Sequence, residues 1–106
     1  METIKSKKEF EKVFTSGRRF NHPLVRICVL GGTEDSGRVA FVAAKRLGNA
    51  VFRNRCKRVL REAARICDLP IVGVDVIMFA TRATNASSPD EVSQALSKLL
   101  TRARVV

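Results

Sequence analysis

Eight basic residues fall between positions 45 and 65: Lys45, Arg46, Arg53, Arg55, Lys57, Arg58, Arg61 and Arg65. Glu62 is the single acid in that window. This is chemistry for phosphate. Arginine presents a planar fork that holds two phosphate oxygens, and lysine supplies a compact point charge. Side chains one helical turn apart lie about 5–6 Å from each other, close to the spacing of adjacent phosphates on a folded strand. Asn54, between Arg53 and Arg55, both donates and accepts, which suits a ribose hydroxyl, a base edge or a metal-bound water. Gly48-Asn49, just ahead, resembles a loop that brings backbone N–H groups near a phosphate.

A helix must carry these groups. Phe52, Cys56, Val59, Leu60, Ala63 and Cys67 follow helical spacing and make one dry face over residues 50–67. At about 100° per residue, Arg53, Asn54, Lys57, Arg58, Arg61 and Arg65 occupy the opposite and flanking arc, and Arg55 projects from the other flank. Asn49 is the expected N-cap, and the helix ends before Asp68-Leu69-Pro70. Two blander readings compete: a solvated basic face with no ligand, and an amphipathic helix for a membrane surface or a partner protein. The second is weakened because the core needs the apolar face.

The flanking chain supplies the scaffold. Ser6-Lys7-Lys8-Glu9 has the form of a capping box opening a short helix, whose face is Phe10, Val13 and Phe14 and whose stop is Gly17. Phe10 and Phe14 have two compatible readings, as core residues or as the wall of a groove for unstacked bases. Residues 24–30 read as a strand and 38–45 as another. With the polar glycine-rich segment 31–37 between them, the pair suggests an antiparallel hairpin. A short strand at 18–20 is a further candidate. On the first strand Arg26, Cys28 and Leu30 share one face, the better candidate for exposure, and Val25, Ile27 and Val29 share the other. Residues 73–81 form an apolar, central strand. Ser88, Pro89 and Glu91 open a last helix striped by Val92, Ala95, Leu96, Leu99 and Ala103. The order α-β-β(-β)-α-β-α gives an α+β chain, a single-domain α/β sandwich over residues 1–106.

Composition narrows the function. The 106 residues are 45% hydrophobic and carry a net charge of +10. That is one foldable domain with an anionic partner, nucleic acid first. The apolar runs fall far short of the roughly 20 residues of a membrane span. The first eight residues contain no apolar stretch of the kind a secretory signal needs, so a cytoplasmic protein is expected. Cys28, Cys56 and Cys67 are odd in number, without C-x-x-C spacing, and read as small buried hydrophobes in a reducing cytosol. His22 is the one histidine, which argues against a histidine-based metal site or triad. A protein-only nuclease needs clustered acids for metal, and the acids here are scattered.

The run KRLGNAVFRNRCKRVLREAAR at 45–65 closely resembles the signature of the bacterial ribonuclease P protein component. The matching elements are Lys45-Arg46, Gly48-Asn49-Ala50-Val51, Arg53-Asn54-Arg55, Lys57-Arg58 and Arg61. The likeness extends upstream through residues 10–14 and Gly17, and downstream through 75–82 and the last helix, covering most of the chain. The resemblance implies a fold similar to ribosomal protein S5 domain 2, with a left-handed βαβ crossover through the basic helix. It implies binding to a large catalytic RNA that holds the active-site Mg2+ ions. Together they would cut the 5′ leader from precursor tRNA, as one protein and one RNA. Lys45, Arg46, Asn49, Arg53, Asn54, Arg55, Lys57, Arg58, Arg61 and Arg65 would face RNA. Phe10, Phe14 and Cys28 would line a leader cleft between the first helix and the sheet.

This sequence departs from the family pattern at Cys28, where some members carry a stacking Tyr, and at Ala44, where Ser is common. It lacks the frequent Arg before Ile4 and a long basic tail. The Arg-Asn-Arg motif is intact. The composition alone also admits a non-catalytic RNA-binding module of ribosomal or assembly-factor type.

Overall fold

The computed structural model describes residues 3–32 and 37–106. Helix α1 spans Lys7–Ser16, and the Ser6 hydroxyl accepts from the Glu9 N–H at 3.3 Å, as an N-cap should. The expected reciprocal half of the capping box is replaced, because the Glu9 carboxylate turns to Arg38. Strands β1 (Arg18–His22), β2 (Val25–Gly31), β3 (Val39–Val42) and β4 (Val74–Ala80) form one sheet in the order β1-β2-β4-β3. A 3-10 turn at Lys45–Leu47 leads into α2 (Ala50–Ile66), and α3 (Arg82–Ala86) and α4 (Pro89–Arg102) complete the chain.

The hairpin expected between 24–30 and 38–45 does not form. β4 lies between β2 and β3, antiparallel to the first and parallel to the second. The reason is burial: Asp75, Val76, Ile77 and Met78 are all buried, so β4 takes an interior position with both faces covered. Parallel pairing of β3 with β4 then requires a crossover, which α2 supplies. The predicted glycine-rich turn at 31–37 therefore connects two strands that are not neighbours, and its residues 33–36 lie outside the described part. The hairpin that does form is β1–β2, where His22 Nδ1 accepts from the Leu24 N–H at 3.1 Å in the tight connection. The strand expected at 38–45 also ends early, at Val42, because Lys45–Leu47 coil into the 3-10 turn.

Register assigns the two faces. Val25, Ile27, Val29, Val39, Val76 and Met78 point to α2 and α4, meeting Leu60, Ala63, Leu96 and Leu99 in the main core. Each fully buried leucine there contributes about 1.5–3 kcal/mol. Cys28 and Ile77 point the other way, to Val13 of α1, and Phe10, Leu30, Ala40, Val42 and Phe79 pack around them. A carboxylate fixes this second layer. Asp75 is 2% exposed; its Oδ1 accepts from the Arg38 N–H at 3.0 Å and its Oδ2 from the Arg38 guanidinium at 3.1 Å. That bond to Asp75 raises Arg38 above its ordinary pKa. The same guanidinium pairs with Glu9, so it ties α1 to β4.

Gly17 ends α1 by crowding rather than by left-handed geometry. Its backbone is extended, and a Cβ there would stand 2.5 Å from the Val13 carbonyl oxygen and 2.7 Å from Cys28 Sγ. Gly17→Ala should therefore lower stability by about 2 kcal/mol, read as a shift in the urea midpoint. No measurable change would mean that α1 does not sit this close to β2.

Candidate nucleic-acid interface

The cations of α2 point outward. Lys45, Arg46, Asn49, Asn54, Arg55, Arg58, Arg61 and Arg65 are exposed, and Arg53 and Lys57 are half-buried. The Asn49 side chain caps the helix, its oxygen accepting from the Phe52 N–H at 2.9 Å, so only its amide NH2 faces a ligand. Arg65 is held by Glu62, with Nε 3.1 Å from Oε2, and its charge is largely compensated within the protein. The other seven cations of the segment make no ion pair among the described residues. The Arg61 guanidinium lies 5.5 Å from the centre of the Phe41 ring. Arg53 Nε is buried without a hydrogen-bond partner, a donor that an RNA oxygen or a water would satisfy.

On the opposite side of the sheet, α1 covers only part of its face. Arg19 and Asn21 of β1, Arg26 of β2 and Phe79 of β4 share that face by register and remain beside an open groove of about 390 Å³. Phe14 and Arg46 complete its walls. A neighbouring hollow of about 350 Å³ shares Arg26 and Arg46 and adds Thr81 and Arg82. Arg46 thus joins the groove to the basic helix. The α3 segment, missed in the sequence because its polar run reads as loop, bounds this hollow. The Thr81 hydroxyl donates to the Pro23 carbonyl at 2.6 Å, and the buried Thr84 hydroxyl donates to the Leu24 carbonyl at 2.7 Å.

The two phenylalanines divide their roles. Phe10 is half-buried in the α1 layer, and Phe14 is 40% exposed at the groove. Their rings are nearly parallel, with centroids 6.2 Å apart, and Phe79 meets Phe14 edge-on at 6.0 Å. Arg19 lies over the Phe14 ring at 4.3 Å. Cys28, expected in the cleft, is not there. It is fully buried, its thiol donating to the Val13 carbonyl at 3.2 Å, because the close approach at Gly17 seats α1 directly on it. Its face of β2 is therefore covered at Cys28 and open only at Arg26, which corrects the expectation of an exposed face. Burial pushes all three thiols up, so they stay protonated at neutral pH. Arg19, Asn21, Phe79 and Arg82 were not singled out from the sequence. Strand alternation carries the signal of the first three only once the pairing is known, and Arg82 opens a short helix that the sequence did not announce.

The ribonuclease P family model matches residues 1–104. The chain belongs to the ribonuclease P protein family. It is accordingly the protein component of a ribonucleoprotein, tRNA-processing endoribonuclease. The ribonuclease P protein component of Herpetosiphon aurantiacus is 35% identical over 103 residues, covering 96% of this chain and 84% of that one. That of Exiguobacterium is 31% identical over 102 residues, covering 96% and 90%. The Staphylococcus aureus RNase P protein superposes with a TM-score of 0.81 at 25% identity, over 99% of this chain and 97% of that one. The RNase P protein of Thermotoga maritima shares the fold, with a TM-score of 0.79 at 22% identity over 96% and 97%.

Proposed function

We propose that the chain grips the ribonuclease P RNA through α2 and the turn before it, and the 5′ leader of precursor tRNA through the groove beside α1. One protein acts with one RNA, in the cytoplasm. The observation that carries this reading is the continuity of the two surfaces at Arg46, with Arg19, Arg26 and Arg82 along the groove side and Phe14 and Phe79 between them. Arg26, Arg46 and Arg82 neutralise phosphates as the strand enters, and the aromatic cluster offers flat surface to unstacked bases. Only the precursor has a leader, so these contacts favour substrate over product.

Three of the described carboxylates are engaged within the protein and are not free for the magnesium of this reaction. Arg38 engages Glu9 and Asp75, and Arg65 engages Glu62. In this reading the RNA holds the metal. The protein lowers the repulsion that strand and RNA phosphates would otherwise impose.

Reconstitution with the cognate RNA at low magnesium should raise precursor cleavage, and absence of stimulation would sink the proposal. Phe14→Ala in that holoenzyme should weaken precursor binding by about tenfold, leaving assembly with the RNA intact. Equal losses of assembly and stability would instead assign Phe14 to the core alone.

A further inference from the structure

We propose that Arg19 selects one unpaired base in the groove by presenting the outer face of its guanidinium as a stacking surface. This rests on the groove being the single-strand site. The argument begins with what covers Phe14. Phe10 lies alongside it nearly parallel, Phe79 meets it edge-on, and Arg19 lies over its ring. A base approaching the ring from Arg19's side therefore meets the guanidinium before the phenyl group.

Arg19 is also fixed in place, unlike Arg26 and Arg46 beside the same groove. Its Nη2 donates to the Phe14 carbonyl at 3.0 Å, which pins the fork at one corner, and the ring beneath holds it from below. Opposite it across the β1–β2 ladder stands Cys28, a small side chain buried under α1, so no bulky neighbour on β2 competes for the space. Arg26 and Arg46, by contrast, are exposed and donate no side-chain hydrogen bond among the described residues. Mobile forks of that kind suit phosphates, whose position varies along a strand. A pinned, planar, exposed guanidinium suits a base, because its plane is set before the ligand arrives and little ordering is left to do.

The test uses holoenzyme reconstituted with the cognate RNA, and precursor tRNAs with an abasic nucleotide at each leader position in turn. Wild type should lose about tenfold in precursor affinity at one leader position. Arg19→Lys keeps the charge and loses the plane. It should bind the intact precursor about tenfold more weakly, show no further loss at that abasic position, and bind mature tRNA as wild type does. Arg19→Gln keeps a planar group without the charge and should retain a position-specific loss. The reverse order, with Lys retaining the loss and Gln abolishing it, would mean that charge alone matters and would overturn the proposal. An abasic profile unchanged in Arg19→Lys would overturn it too. If wild type itself bound precursor and mature tRNA equally, the groove reading would fall, and this proposal with it.

Discussion

Arg38→Ala is expected to cost about 3–5 kcal/mol of folding stability, on the order of 15 °C in unfolding midpoint. The size follows from what is left behind. Asp75 is 2% exposed, and without the guanidinium its carboxylate would keep only the backbone N–H of residue 38 as a described donor. The opposite truncation, Asp75→Ala, should be milder, about 1–2 kcal/mol. The Arg38 side chain is 29% exposed and can turn to water. The double variant should therefore be more stable than Arg38→Ala alone. Urea titration of the four proteins closes the cycle. A loss below about 1 kcal/mol for Arg38→Ala would mean that Asp75 reaches solvent. Because the same guanidinium meets Glu9, the variant should also loosen α1 over the groove.

The second large effect concerns the RNA. Arg55 and Arg58 are exposed on α2, outside every ion pair among the described residues. Replacing both by alanine should weaken binding to the ribonuclease P RNA by roughly a hundredfold, because two charge-assisted hydrogen bonds to phosphate disappear together. The plot of log affinity against log salt should flatten by about two units, one for each phosphate released. Precursor and mature tRNA should be bound by the altered holoenzyme in their original ratio, since neither side chain lines the groove. A salt slope equal to that of wild type would show that these guanidinium groups touch no phosphate.

The helix carrying those arginines was legible because its information is local. The dry stripe from Cys56 to Ala63 and the cationic arc follow from the 3.6-residue period, and Asn49 and Ser88 cap where their side chains require. Cys28 shows the opposite case. Alternation placed it correctly on the face of Arg26 and Leu30, yet that face is half covered, and only the seating of α1 on Gly17 decides which half. The acid at position 75 looked incidental in the sequence. It is the buried partner of an arginine 37 residues away.

By itself, then, the sequence determined the family, the basic helix with its two faces, and the capped helices on either side. Tertiary structure alone decided that β4 separates β2 from β3, and that Arg19, Arg26, Arg46 and Arg82 converge from four separate elements onto one continuous surface. The physical reason is range. Helical periodicity and capping act within a few residues, whereas strand order is set by which segment loses most water when both of its faces are buried. That competition is between pieces of chain far apart in sequence, and no local pattern records its outcome.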